Sequence, residues 1–184
     1  MAKVQKAAQL TLGPVPSALI ACGNQSEQNI ITLAWVGVVN SSPPMISVAI
    51  RPERYSHDLV KDSGEFTINL PTKEQAHIVD GCGTLSGNNL DKFSHFKLTA
   101  EKGTLQFAPV IKECPISMEC RVEQTLTLES HSLFIGRVVS TYLDEEVVDH
   151  KGKIDLNQVS LLGFFHGNYL ETRPLELKMG YTIK

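Results

Sequence analysis

The chain lacks any long apolar run: nowhere in its 184 residues does a stretch approach the roughly 20 consecutive apolar positions that a membrane helix needs. Its first ten residues carry Lys3 and Lys6 but no apolar core of signal-peptide length. The sequence therefore predicts a soluble, cytoplasmic protein without a membrane partner. Cysteine is sparse and scattered. Cys22, Cys82, Cys114 and Cys120 form no Cys-x-x-Cys pair, which argues against a disulfide scaffold and a compact zinc motif and fits reduced thiols in a cytosol. The six histidines make no His-x-x-x-His pair, so no metal site is expected. An excess of positive charge is also missing. With 17 basic and 20 acidic side chains, a net charge of -3 and 7% aromatic residues, neither the electrostatic nor the stacking signature of a nucleic-acid binder is present.

Common catalytic signatures are absent too. Gly81, Gly83 and Gly87 do not have Gly-x-Gly-x-x-Gly spacing and follow a predicted helix instead of a strand, which excludes a Rossmann turn. No Gly-Lys-Ser or Gly-Lys-Thr completes a phosphate loop, and no Gly-x-Ser-x-Gly elbow offers a hydrolase nucleophile.

What is present is β structure. Residues 17–22 and 29–39 are apolar and flank a polar turn, reading as a hairpin. Pro43 and Pro44, which cannot donate to a ladder, break the chain before a third strand over 45–50. The period then changes: Leu59 and Val60 are apolar among polar Asp58, Lys61 and Asp62, predicting a short helix with Ser56 as N-cap and Gly64 as its left-handed end. A strand over 65–70 stops at Pro71, and Thr72 with Gln75 forms a capping box for a second helix predicted to end near Gly81. Residues 81–96 read as an irregular functional loop, and 118–128 with 133–143 as a second hairpin. The tail from 158 has no clear pattern. At least six strands joined by short turns, with two short helices, favour a closed or nearly closed antiparallel barrel. No repeat, low-complexity tract or linker divides the chain.

The most informative stretch runs from Met45 to Asp58. An apolar strand delivers Arg51, Arg54, Tyr55 and Ser56 to the start of a helix, where free N–H groups and the dipole favour an anion and arginine can grip phosphate oxygens bidentately. An ordinary N-cap beside solvated arginines fits the same residues, and such arrangements are common. Trp35 can flank a planar cofactor, whereas a lone strand aromatic is more often core. His57 reads as a solvated first-turn residue and Cys82 as a small buried one, unless either tunes a ligand nearby.

Together, these segments resemble the flavin reductase-like family with an FMN-binding split barrel, and within it the flavoredoxin type. The resemblance covers residues 14–143. It rests on Asn29-Ile30-Ile31-Thr32-Leu33-Ala34-Trp35, on Ser47-Val48-Ala49-Ile50 through Tyr55-Ser56-His57, and on Glu65-Phe66-Thr67-Ile68-Asn69-Leu70-Pro71. Cys82-Gly83-Thr84, Ser86-Gly87, Asp91-Lys92-Phe93 and Leu133-Phe134-Ile135-Gly136-Arg137-Val138-Val139 follow in the same order. The resemblance implies a mainly β, antiparallel, Greek-key-like split β-barrel with a few short helices, as one domain over 1–184 with a C-terminal arm from about residue 150. It implies non-covalent FMN, with main-chain groups of Thr32, Leu33, Ala34 and Trp35 and of Val48, Ala49 and Ile50 lining the isoalloxazine. Arg51, Arg54, Tyr55 and Ser56 would hold the phosphate, and Asn69 and Lys92 would reach the ribityl chain or phosphate. Many relatives have an acidic residue where Arg137 stands, so Arg137 receives no role. Tyr169 is expected to close the pocket or pack across a dimer. A homodimer is implied, and no catalytic side chain is needed because flavin chemistry belongs to the cofactor. Three functions remain open from sequence: an FMN-dependent reductase using NADH or NADPH as transient co-substrate, an FMN electron carrier serving a redox partner protein, and a flavin-free barrel acting as a binding module.

Overall fold

In the computed structural model, which describes residues 1–177 and 179–182, the apolar segments form a mainly β fold. The elements in chain order are β1 (Val15–Pro16), β2 (Ala18–Gly23), β3 (Gln28–Leu33), β4 (Val36–Ser41), β5 (Pro44–Ile50), α1 (Tyr55–Ser63) and β6 (Glu65–Leu70). They continue with α2 (Ala76–Thr84), α3 (Lys92–Phe96), β7 (Ala100–Glu101), β8 (Val110–Ile111), β9 (Ile116–Thr127), β10 (Ser132–Leu143), β11 (Leu162–Phe165) and β12 (Asn168–Glu171).

A seven-stranded antiparallel sheet has the order β3-β2-β6-β9-β10-β5-β4. Its two edges, β3 and β4, are consecutive in the chain and separated by only Ala34 and Trp35. The predicted strand over 29–39 is therefore two strands: β3 pairs with β2, and β4 pairs with β5. The chain steps from one edge to the other at Ala34 and Trp35 and brings the barrel round on itself, leaving a seam. Side chains alternate between two cores, as the period of a strand requires. Ile20, Val48, Ile50, Phe66, Ile68 and Phe134 fill the barrel interior. Leu19, Ala21 and Ile30 pack outward against Ile78 and Val79 of α2 and Phe93 of α3. This explains why every residue of β2 is buried.

Local signals explain most boundaries. Gly64 ends α1 at φ 67°, a left-handed conformation that glycine adopts without a Cβ penalty. The Thr72 N–H donates to Gln75 Oε1 at 2.8 Å as the capping box requires. Three expectations change. The N-cap of α1 is Arg54, with no side-chain cap, and Ser56 lies inside the first turn. Helix α2 continues past Gly81 to Thr84, and residues 92–96 are helical, so the irregular segment shrinks to 85–91. The tail forms the hairpin β11–β12, which joins β1 in a three-stranded sheet. Tyr169 donates to Asp80 Oδ1 at 3.0 Å and so ties this hairpin to α2.

Two buried carboxylates close another side of the barrel. Glu119 accepts the Thr104 N–H at 3.1 Å, the Leu105 N–H at 3.0 Å and the Tyr142 hydroxyl at 3.0 Å. Glu65 accepts the N–H groups of Gln106 and Phe107 at 3.0 and 2.9 Å. Residues 104–107 have no strand partner, and these carboxylates satisfy their amides. Among the described residues, no helix is long and apolar enough to cross a membrane.

Candidate functional site

A continuous groove runs along the seam. Its central part is a cavity of about 380 Å³ between the start of α1, Asn29 and Ile31 of β3 and the segment 82–87. Arg51, Arg54, Tyr55 and Ser56 line it from one side, and Asn29, Gly87 and Lys92 from the other. No side chain caps α1; the His57 N–H turns back to the Arg54 carbonyl at 2.8 Å, which leaves the N–H groups of Tyr55 and Ser56 to face this cavity at the positive end of the helix dipole. Arg51 makes one long, exposed ion pair with Glu53 at 3.5 Å, and among the described residues Arg54 has no acidic partner.

Ser56 and Asn29 are joined. The Asn29 Nδ2 donates to Ser56 Oγ at 2.8 Å, and both side chains are buried. A Cβ at Gly87 would stand 2.3 Å from Asn29 Oδ1, so glycine lets the 85–91 segment close onto this pair. Lys92 is buried beneath the same floor. Its Nζ donates to the carbonyl oxygens of Ile30 and Cys82 at 2.7 and 2.8 Å. Burial pulls the Lys92 ammonium below its ordinary pKa, and among the described residues no carboxylate pairs with its Nζ. Cys82 lines the cavity as a thiol, its pKa pushed up to about 11 by burial.

The groove continues into a recess of about 170 Å³ lined by Thr32, Leu33, Ala34, Trp35, Ala49 and His131, sharing Arg51 and Arg54 with the central cavity. Trp35 is not core. It is 48% exposed and tilts against His131 with ring centroids 4.3 Å apart. Burial, and then the nearby Arg51 charge, lower the His131 pKa. Beyond Trp35 lies an apolar cavity of about 440 Å³ with Leu10, Leu12, Phe164 and Phe165 in its wall. Tyr169 sits edge-on to Phe164 at 5.7 Å and braces that wall from behind.

Most of the expected site residues thus converge: Thr32, Leu33, Ala34, Trp35, Ala49, Arg51, Arg54, Tyr55, Ser56 and Lys92 all line the groove. Three do not. The side chains of Val48 and Ile50 point into the barrel core, and their backbone lies in the sheet between β10 and β4 or at its end. Asn69 is fully buried on the outward face of β6, where it donates to Leu19 O and Thr67 Oγ1 and accepts from the Ile111 N–H and Ser117 Oγ. Its hydrogen-bonding capacity is consumed, so it supports the fold and reaches no ligand. Asn29 takes the place on the groove floor that sequence reasoning gave to Asn69. Its signal was a polar residue directly before the apolar run of β3. His57 is buried rather than solvated; its ring nitrogens meet Ser132 Oγ at 2.9 Å and Asp58 Oδ1 at 2.8 Å and anchor α1 to β10. Arg137 pairs with Glu123 at 2.7 Å, away from the groove.

An antiparallel split barrel with an anion-ready helix start and a flat, aromatic-flanked edge defines a class, and the chain belongs to the flavin reductase-like family, whose domain model matches residues 12–173. Among solved structures, the flavoredoxin of Desulfovibrio vulgaris (Miyazaki F) is 29% identical with a TM-score of 0.90, covering 97% of each chain. The flavoredoxin of Methanosarcina acetivorans is 28% identical with a TM-score of 0.90, over 100% of both chains. An FMN-binding protein from Thermus thermophilus, solved with bound 1-cyclohex-2-enone, shares the fold at 22% identity and a TM-score of 0.81, covering 97% of this chain and 99% of its own. The chain is a flavin-related redox protein of this family.

Proposed function

We propose that the chain binds FMN non-covalently along the seam and passes electrons through it. The observation that carries this reading is the convergence, in one groove, of an uncapped helix start with Arg51, Arg54 and Ser56 and a planar wall formed by Thr32, Leu33, Ala34 and Trp35. The donor set suits a phosphate monoester: arginines supply charge-assisted bonds, and the helix start supplies N–H groups at a fixed angle. Lys92 adds a buried positive charge that, among the described residues, has no carboxylate partner. Within the barrel the Ser56–Asn29 bond holds the hydroxyl in position. When bound, FMN supplies the electron-transfer chemistry, and the protein supplies orientation and a low-dielectric wall.

The apolar cavity beside Trp35 supports a small planar partner next to the flavin edge, which favours a reductase over a carrier that meets its partner by surface contact. The Thermus fold neighbour, with 1-cyclohex-2-enone bound, supports the same preference. NADH or NADPH is the proposed electron donor. The reading also includes a homodimer, since Val38, Val39, Leu126 and Leu128 are exposed on β4 and around the β9–β10 turn, where a second copy would cover them.

Purification with visible flavin absorbance, or saturable quenching of FMN fluorescence by the apoprotein, is the expected result. Absence of both overturns the reading. Anaerobic mixing of the holoprotein with NADH or NADPH should bleach the flavin on a catalytic timescale; no bleaching with either leaves an electron carrier. Sedimentation velocity should give a dimer.

A further inference from the structure

At its α1 end the groove does not stop. Tyr55 and Gly87 line the central cavity and also a polar recess of about 760 Å³ beyond it, which is large enough for an adenosine. The recess wall is rich in neutral amides, among them Asn24, Gln28, Asn88 and Asn89, and its charged side chains are Glu27 and Asp91. Among the described residues, no lysine or arginine lines it. Glu27 stands at the boundary: its carboxylate accepts the Tyr55 hydroxyl. The turn before it is fixed, with Asn24 Oδ1 accepting the N–H groups of Ser26 and Glu27 at 2.8 and 3.1 Å.

We propose that Glu27, held by Tyr55, makes this site select a flavin mononucleotide over a dinucleotide. The inference rests on the FMN reading above. A single phosphate is served by Arg51, Arg54 and the start of α1. A dinucleotide carries a second phosphate past Tyr55, into a recess whose fixed charges are negative and which offers no cation to offset them. Space admits the adenosine; charge opposes the phosphate that must precede it.

Glu27→Gln separates charge from shape, because the Gln amide oxygen still accepts the Tyr55 hydroxyl. The test is titration of wild-type, Glu27→Gln and Glu27→Lys apoproteins with FMN and FAD, followed by flavin fluorescence at low and high salt. Wild type should prefer FMN. Glu27→Gln should improve FAD relative to FMN by about tenfold at low salt and Glu27→Lys by more, the gain shrinking as salt screens the charge. A wild type that binds both flavins equally, or an FAD-to-FMN ratio that both variants leave unchanged, overturns the proposal while the FMN reading stands. Wild type that binds neither flavin overturns both.

Discussion

Two regions of this molecule face the same problem and solve it differently. At residues 104–107 the backbone leaves amides without a strand partner, and Glu119 and Glu65 accept them from within the chain. At the start of α1 the Tyr55 and Ser56 amides are also left over, the His57 amide alone turning back to Arg54 O, yet no side chain caps them. The carboxylates that close the first region make it a point of stability. The second holds arginines where a capping acid would stand and so keeps its donors for something outside the chain. A protein that satisfies its own amides in one loop and leaves some of them open in one groove is what the proposed FMN site at that groove would require.

The largest effect should come from breaking the closed region. Glu119→Ala strands several buried donors and should cost about 3 kcal/mol of unfolding free energy, measured by urea denaturation, while FMN affinity of the folded protein stays within a few-fold of wild type. The same carboxylate sets the sign of the acid response. Burial alone would raise its pKa, but the bonds from Thr104, Leu105 and Tyr142 outweigh this and hold it below the ordinary carboxylate value. A lowered folded pKa gives stability that is fully present above the unfolded value and is lost as pH falls through the folded one. The melting temperature should therefore fall on acidification below the ordinary carboxylate range, and by less in Glu119→Gln.

Filling the open region is the next largest effect. FMN at a hundred times its dissociation constant should stabilise the chain by about 2.7 kcal/mol, read as a rise in melting temperature that riboflavin, lacking the phosphate, reproduces poorly. Emptying it of charge comes third: Arg54→Ala should weaken FMN binding by about 2 kcal/mol, roughly thirtyfold, with unfolding free energy changed by less than about 0.5 kcal/mol. Loss of stability without loss of affinity would reverse the comparison. Ser56→Ala should weaken FMN binding only a few-fold by calorimetry, since the helix start and both arginines remain.

Sequence patterning located these regions unevenly. The β9–β10 hairpin, the Gly64 terminus and the Thr72–Gln75 box were legible because each depends on neighbours in the chain. The division of 29–39 into β3 and β4 was not, because the step at Ala34 and Trp35 uses no glycine or proline and both halves are apolar. Gly81 looked like a helix end and Gly83 like part of a loop, and both are instead close approaches inside α2: a Cβ on Gly81 would stand 2.2 Å from Phe96, and one on Gly83 would stand 3.3 Å from Thr32. Asn69 and Asn29 could not be ranked by sequence, since what separates them is which face of the sheet each occupies. The arginine-bearing turn needed no tertiary information, as strand, arginines and helix start are contiguous.

An unsealed barrel carries a hazard, because an edge strand offers its unpaired backbone groups to any passing chain as a template for aggregation. Here the β3 edge lies under α2 and α3, and the Lys92 ammonium occupies the Ile30 carbonyl. This edge of the barrel is thereby also the flank proposed to hold FMN, so in that reading binding and protection from misassembly rest on the same side chains.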